Sequence, residues 1–407
     1  MALLENLITY SQNNRLSNNQ RVSFESFLKK GFPTKKDEDW KYTCLKNIVS
    51  KDYAIGINGD QNELDSSVVE TYGFGFDCKI IFYNGNLIHF PKIDGVIICE
   101  FKEFSCKNDD AISLLNAGLA NSGFNILIEK NTIISKPIEI LFFNNIENGF
   151  SQYRNRLTVG ENSEVKIIER IQDLSNSSCF SNHYTQINCK INSKLEYNKI
   201  QNNSSNFKLI DSLKIMQEKN STSNVNTLVL NGKFVRNGLS FEQNGSNCES
   251  NMNGISVLNE NQFADNHTFV DHKIANCRSN EVYKGVYMDN SKGVFNGKIM
   301  VRKDAQKIDA FQQNNNLLLD DKCVIDTKPQ LEIYADDVKC SHGCTVGQLD
   351  EKALFYMKSR GIRSGHCKAL LTYAFMSEVL ENITIIELKN QVQRLLMAKL
   401  NVDLEFL

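Results

Sequence analysis

From about residue 121 to Pro329, helical periodicity gives way to short β-branched and aliphatic runs separated by polar turns rich in Asn, Ser and Gly. Such runs are Phe124–Ile128, Val165–Ile168, Val225–Leu230 and Val294–Val301. Short runs of strand-forming residues between turn signals are typical of an all-β domain of many strands. This segment therefore predicts a mainly β fold.

The pattern alone leaves two architectures open, a sandwich or barrel and a parallel β-helix. The dipeptides Asn231-Gly232 and Asn237-Gly238 are candidate hairpin turns, which would favour the first. Asn-rich turns favour the second, because Asn tolerates left-handed backbone geometry and bonds locally at corners. No constant repeat period is visible, and this weakens the β-helix interpretation.

Helical segments are predicted on both sides of the β region. Near the start, Leu3, Leu4, Leu7 and Ile8 have amphipathic spacing, and a second helix is predicted around Ser23–Lys30. Trp40 is interpreted as a packing anchor. Further along, Lys79–Tyr83 with Asn84-Gly85 predicts a hairpin, and a helix is predicted from Asp110 to Ala120.

The last part of the chain predicts three helices. Asp350 would cap the first and Gly361 would end it. Ser364 would begin the second, and the third would run from about Ile385 to Leu400. A prior of roughly 150 residues per domain allows two or three domains in 407 residues. We divide the chain into residues 1–110, 111–343 and 344–407.

Charge and composition exclude several classes of protein. The formal net charge of −2 gives no indication of nucleic-acid binding. No apolar run approaches the roughly 18 residues that a membrane span needs. The 12 cysteines include no CxxC pair, and the first residues lack the features of a signal peptide. We therefore expect reduced thiols and a cytoplasmic location.

The sequence contains no P-loop, GxSxG or HExxH motif. One group of candidate functional residues is Asp265-Asn-His267-Thr-Phe-Val-Asp271-His272. Two histidines beside two carboxylates could bind a metal or carry acid–base chemistry. The alternative interpretation, a hydrogen-bonded turn network, is the more common use of such residues.

The sharper candidate is Cys340-Ser-His342-Gly-Cys344. In a strand, Cys340 and His342 would project to one face, roughly 7 Å apart. In a helix, Cys340 and Cys344 would share a face, but Gly343 disfavours a helix there.

Thiolate and imidazole suit iron, zinc or copper(I). Iron–sulfur clusters and structural zinc usually need four protein ligands, so a distant segment or another subunit must complete the set. The alternative is that Cys340 is a buried apolar residue and His342 a turn residue.

Around these residues the sequence resembles the SufB/SufD family of iron–sulfur assembly proteins, and more closely its SufD branch. The resemblance is densest from about residue 265 to 361. The matching segments are Thr327–Gly343, Thr345–Asp350, Leu354–Tyr356, Ser359–Gly361, Asp265–Thr268, Tyr283–Gly285, Val294–Lys298, Asp309–Leu319 and, near the start, Pro33–Thr43.

The resemblance implies a right-handed parallel β-helix core flanked by helical regions. It implies a non-catalytic scaffold subunit that pairs with SufB through the β-helix and with the ATPase SufC through the C-terminal helices. A nascent iron–sulfur cluster would form at the SufB interface, with His342 as a ligand and Cys340 as a weaker candidate. The family usually has alanine in place of Cys344, and we interpret that thiol as silent.

Two rival functions stay open at this point. A β-helix enzyme acting on polysaccharide would use paired carboxylates such as Asp336-Asp337, and a stand-alone metalloenzyme would use His267, His272 and Cys340. The sequence does not decide whether the chain homodimerises without SufB, or whether a reduced flavin joins the complex.

Overall fold

The structure is a computed structural model that describes residues 2–55, 64–100, 110–120 and 122–400. Helices precede and follow a long region of strands. The helices are α1 (Ala2–Asn13), α2 (Asn18–Lys30), α3 (Lys46–Val49), α4 (Ser66–Tyr72), α5 (Ala111–Leu119), α6 (Glu351–Ser359), α7 (Ser364–Leu380) and α8 (Ile386–Lys399), with a 3₁₀ turn at Glu38–Trp40.

The strands form two large sheets. They are β1 (Ala54–Ile55), β2 (Lys79–Tyr83), β3 (Asn86–His89), β4 (Val96–Glu100), β5 (Phe124–Ile128), β6 (Ile138–Asn144), β7 (Gly149–Val159), β8 (Glu164–Asp173), β9 (Phe180–Cys189), β10 (Lys194–Asn202), β11 (Lys208–Gln217), β12 (Thr222–Asn231), β13 (Phe234–Gln243), β14 (Glu249–Leu258), β15 (Phe263–His272), β16 (Arg278–Tyr287), β17 (Lys292–Val301), β18 (Ile308–Leu318), β19 (Val324–Ile333) and β20 (Val338–Gly347). Sheet A has the order β19-β17-β15-β13-β11-β9-β7-β5-β4, with β1 beside β7, and sheet B has the order β20-β18-β16-β14-β12-β10-β8-β6-β2-β3.

From β5 to β20 the chain alternates between the two sheets, and each strand pairs in parallel with the strand two positions away. Within the described residues this makes a parallel β-helix of about eight turns. The predicted mainly β fold with a β-helix core is therefore confirmed. The division into domains at residues 110 and 343 stays a prediction.

The length of a turn varies along the β-helix. Lys208 pairs with Phe234, 26 residues later, whereas Lys292 pairs with Val324, 32 residues later. The additional residues of the longer turns lie in the corners between strands, while the paired strands keep the same length. A constant repeat is therefore invisible in the sequence although the backbone geometry repeats.

One corner of the β-helix is a column of left-handed residues. The column consists of five asparagines with φ between 54° and 59°: Asn131, Asn162, Asn192, Asn220 and Asn247. From Asn162 onwards, each side-chain amide donates to the side-chain oxygen of the Asn one turn earlier, at 2.8 to 3.0 Å. Asn tolerates this conformation better than most residues because its short polar side chain can form local hydrogen bonds, and here its amide satisfies its neighbour. The prediction that Asn-rich turns form β-helix corners is confirmed.

The two Asn-Gly dipeptides in the β region do not form hairpins. Asn231-Gly232 makes the corner between β12 and β13, which lie in different sheets, and Asn237-Gly238 lies within β13. That hairpin prediction was wrong because Gly232 serves a corner, where its φ is 139°, and because Asn237 is a buried strand residue whose side chain bonds to Asn266 of the next turn. The hairpin predicted at Lys79–Gly85 is confirmed, since β2 and β3 are antiparallel and Asn84 and Gly85 both have positive φ.

Helices cover the outer faces of both sheets. The N-terminal helices and α5 pack their apolar residues against Phe150, Phe180 and Ile210 of sheet A. Helices α7 and α8 pack against the outer aliphatic residues of sheet B, such as Ile200 and Ile255. Both faces of each sheet are therefore buried along most of the β-helix.

We expect Asn220→Ala to lower the free energy of unfolding by about 1–2 kcal/mol, because alanine is disfavoured at φ 59°. The variant also loses the two amide hydrogen bonds to Asn192 and Asn247. Urea unfolding measures the effect. Asn220→Gly is the matched control, since glycine accepts the conformation and loses only the amide bonds. Equal losses in the two variants would contradict a role for the left-handed geometry.

Candidate functional site

The residues Cys340, His342 and Cys344 lie on one face of β20, the last strand of sheet B. Their Cα partners in β18 are Ala310, Gln312 and Asn314, in that order. Those three partners are buried inside the β-helix. Paired residues of neighbouring strands share a face, so the three side chains of β20 also lie on the inner face, at the end of the helix.

The sequence placed Cys340 and His342 on one face, and the structure agrees. It adds Cys344, because the strand continues through Gly343 to Gly347 instead of ending before it. The three candidates differ in exposure. Cys340 is half-buried beside the apolar cluster that contains Ile308 and Ala310, whereas His342 and Cys344 are exposed. Burial raises the pKa of the Cys340 thiol, and the Asp309 carboxylate raises it further.

Two buried polar side chains lie directly beneath His342. Gln312 is its neighbour in β18, and Glu281 is the partner of Gln312 in β16. The amide Nε2 of Gln312 donates to Oε2 of Glu281 at 2.7 Å. Oε1 of Gln312 and Oε1 of Glu281 have no hydrogen-bond partner among the described residues. Burial raises the pKa of Glu281 to about 7.

The strands β19 and β20 form the last turn, and each has a free edge. Within the described residues, β19 pairs only with β17 and β20 only with β18. No residue of β19 or β20 is fully buried, in contrast to the turns before them. The exposed large apolar residues within these two strands are Val324, Ile333 and Val346. Ten-residue strands with unpaired N–H and C=O groups and apolar side chains are a template for pairing with another chain.

The structure separates the predicted His267–His272 cluster. His267 lies on the outer face of β15, where its Nε2 contacts Oδ1 of Asp265 at 3.0 Å. His272 is fully buried inside, where its Nε2 lies 3.0 Å from the hydroxyl of Ser279. Burial lowers the pKa of His272 to about 4. The two histidines cannot meet at one ion because an odd spacing in a strand places them on opposite faces.

The two carboxylates of that cluster make structural contacts. Asp271 receives two hydrogen bonds from Arg302, at 2.8 and 3.0 Å. Asp265 is buried and accepts hydrogen bonds from Arg236 and from the Thr43 hydroxyl. The interpretation of these residues as a hydrogen-bonded network is therefore confirmed, although they lie in a strand and not in a turn.

The network around Asp265 also explains Trp40. The guanidinium of Arg236 lies 3.8 Å from the centre of the Trp40 ring and donates to the Asp39 carbonyl at 2.8 Å. Trp40 is buried in the core between the N-terminal helices and sheet A. Its predicted role as a packing anchor is confirmed. Two matching segments that are far apart in the sequence, Pro33–Thr43 and Asp265–Thr268, therefore meet in the fold.

Helix α6 is the second exposed feature near the open end. Asp350 caps it by accepting from the Lys352 amide, and Gly361 follows it with φ 86°, as predicted. Within the described chain, α6 buries none of its residues. Phe355 and Tyr356 are 74% and 58% exposed, which is unusual for aromatic residues of a folded monomer.

Sequence reasoning missed Gln312 and Glu281. Both lie in strands whose alternation was recognised only in part, and Gln312 falls within the matching segment Asp309–Leu319 without a role of its own. They could have been found as a Glu or Gln at an inward-facing position of a strand. Inward-facing positions are known only when the strand register is known, and the sequence did not provide the register.

Comparisons with known proteins give the family. A family model described as "SUF system FeS cluster assembly, SufBD core domain" matches residues 142–375, and one described as "SufBD protein N-terminal region" matches residues 4–88. The chain belongs to the SufB/SufD family of iron–sulfur cluster assembly proteins, and within it the chain is SufD-like.

Individual relatives agree with this assignment. The iron–sulfur cluster assembly protein SufD of Escherichia coli is 30% identical over 385 residues, which cover 90% of this chain and 89% of the relative. An iron–sulfur cluster assembly SufBD family protein of Synechocystis is 26% identical over 394 residues, covering 89% of this chain and 86% of the relative. These relatives support a role in iron–sulfur cluster assembly. Separately, no helix among the described residues has the length and apolar character that crossing a bilayer requires.

We expect the stability of the protein to fall as pH rises from about 4.5 to about 7 because of Glu281. Below this pH range the Glu281 carboxyl is neutral in both the folded and the unfolded state. Within the range the carboxyl ionises only in the unfolded state, which favours unfolding. A pKa raised from 4.5 to about 7 corresponds to a loss of about 3 kcal/mol at most. Glu281→Gln removes this loss. The free energy of unfolding of the variant, relative to that of the native protein, should therefore increase from pH 5 to pH 8, as measured by urea titrations.

Glu249→Gln, which removes an exposed carboxylate of β14, is the control for that comparison. A difference between Glu281→Gln and the native protein that does not change with pH would contradict the assignment.

Proposed function

We propose that this chain is a non-catalytic scaffold subunit of an iron–sulfur cluster assembly complex, in which it supplies one half of a shared assembly site. The observation that carries the proposal is the position of His342, on the inner face of an unpaired last turn. A cluster usually takes four protein ligands, and the open end of this β-helix offers fewer, so a surface that covers that end must supply the rest.

A SufB-like subunit is the proposed partner at this end. Its own strands would extend both sheets by pairing with the free edges of β19 and β20, which satisfies the backbone groups there. Exposed Val324, Ile333 and Val346 would be buried in the same contact. In isolation the same edges would pair with a second copy of the chain, which gives a homodimer.

The nascent cluster is the cargo of this interface. His342 is the proposed ligand from this chain, and Cys340 is the weaker candidate because burial raises the pKa of its thiol and iron binds the thiolate. A cluster usually takes four protein ligands, so the partner must supply the others. Gln312 lies beneath His342 with a free acceptor, and an acceptor there would orient the imidazole by taking one N–H.

A SufC-like ATPase is the proposed partner of the C-terminal helices. Helices α7 and α8 use their apolar faces on sheet B, so they are not free for another contact. Helix α6 leaves Phe355 and Tyr356 exposed and follows directly after β20. Large aromatic residues dominate the energetics of protein interfaces. A movement of α6 imposed by the ATPase would reach the assembly site through the short connection from Gly347 to Glu351.

The rival functions have less support. A metalloenzyme using His267, His272 and Cys340 would need groups that lie on different faces and sheets. Asp336 and Asp337 lie in the turn between β19 and β20, where the Asp337 amide donates to Gln306. A cytoplasmic location stays a prediction from the cysteine pattern, and whether a reduced flavin joins the complex stays open.

We expect His342→Ala to abolish cluster formation in the complex reconstituted with SufB-like and SufC-like partners, because the variant removes a ligand. Iron and sulfide analysis of the purified complex measures the yield, and co-purification shows that assembly is intact. His89→Ala, at an exposed position of β3, is the matched control. A normal cluster yield in His342→Ala would contradict the proposed function.

We expect the double variant Phe355→Ala/Tyr356→Ala to weaken binding of the SufC-like ATPase at least about tenfold, since truncating one interface anchor costs about 2 kcal/mol. Isothermal titration of the ATPase into the purified chain measures the dissociation constant. Ile386→Ala removes another exposed apolar side chain, 69% exposed at the start of α8, and is the control. Equal binding by the control and the double variant would exclude α6 as the docking helix.

A further inference from the structure

The segment His342-Gly343-Cys344 presents an imidazole and a thiol together at the open end of the β-helix. We propose that Cys344, and not Cys340, is the thiol that this chain offers to the nascent cluster beside His342. The proposal rests on the proposed function, because it names a second ligand at the same interface. It replaces the interpretation of Cys344 as a silent residue.

Strand geometry allows only one of the two cysteines to bind together with His342. Cys340 and Cys344 each lie two residues from His342, roughly 7 Å along the strand, but roughly 13 Å from each other. A thiolate sulfur binds at about 2.3 Å from the metal, and only one carbon joins that sulfur to the backbone, so a cysteine can bind only a metal close to its own strand position. One iron can therefore bind His342 with either cysteine, while the two thiols cannot meet at that iron.

The surroundings of the two thiols favour Cys344. Cys340 is half-buried beside the apolar cluster that contains Ala310 and Ile308, which partly covers its thiol. Cys344 is exposed. Its thiol is therefore accessible to an incoming cluster, whereas the thiol of Cys340 is partly covered by the apolar cluster.

An independent observation points to a ligand at this place. The side chain of Gln312 is fully buried beneath His342, and its Oε1 has no hydrogen-bond partner among the described residues. Its Nε2 is held by Glu281, which leaves Oε1 as the free acceptor. Leaving a buried acceptor unpaired costs about 1–3 kcal/mol, and an imidazole N–H from His342 would satisfy it. The other imidazole nitrogen would then be available for a metal, on the same strand face as Cys344.

The chain itself provides the matched variants for a test in the complete complex with the SufB-like and SufC-like partners. The clusters are assembled anaerobically from ferrous iron and sulfide, and bound iron, bound sulfide and the visible absorption spectrum are measured. The variants are Cys344→Ala, Cys344→Ser, Cys340→Ala, Cys340→Ser and His342→Ala. Co-purification of the three subunits confirms that each variant is assembled.

We expect Cys344→Ala to lower bound iron by roughly tenfold, the scale on which metal sites respond to the loss of a supporting group. Cys344→Ser should retain part of the iron with a shifted charge-transfer absorption, because oxygen replaces sulfur at one iron. Both Cys340 variants should keep the native iron content and spectrum. A spectral shift in Cys340→Ser with none in Cys344→Ser would overturn the assignment.

The result for His342→Ala separates failure of this inference from failure of the proposed function. Loss of cluster in His342→Ala together with native content in Cys344→Ala would reject Cys344 and leave the proposed function intact. Native content in both variants would reject the proposed function itself.

Discussion

Parallel hydrogen bonding between successive turns is the constraint on which this structure depends. Each strand of the β-helix satisfies its backbone groups on the strands of the turns before and after it, so the last turn has no partner on one side. At the opposite end the antiparallel strands β3 and β4 finish the sheets. The open end at β19 and β20 is therefore a consequence of the fold, and His342 lies on it.

The same stacking makes a polar interior possible. Buried Lys199 and Asp211 form an ion pair at 2.7 Å inside the β-helix, and amide side chains such as Asn237 and Asn266 bond to one another across turns. A buried polar group is tolerated only when its hydrogen bonds are made, and stacked turns bring like groups into reach. Gln312, in the strand next to the last turn, is one of several buried groups left with a free acceptor, and it is the one that lies beneath His342.

Local rules explain which parts of the fold were predictable. The helix predicted from Asp110 to Ala120, the cap at Asp350 and the turn at Asn84-Gly85 depend on neighbouring residues, and these predictions are correct. The β-helix was not separable from a sandwich by pattern, because its turns differ in length and Asn-Gly serves both hairpins and corners. Strands of nine to eleven residues also looked short in the sequence, since their buried Asn, Ser and Gln interrupt the apolar runs.

The sequence by itself determined the mainly β core, the flanking helices and the soft ligands at Cys340, His342 and Cys344, because these follow from residue type and short spacing. Only the tertiary structure decided that His267 and His272 lie apart, that Gln312 lies beneath His342, and that Cys340 is half-buried while Cys344 is exposed. The separation of the two histidines follows once they are known to lie in one strand, and the other facts depend on the pairing of strands about 30 residues apart. Such pairing is fixed by packing between successive turns, and it cannot be recognised from residues that are close together in the sequence.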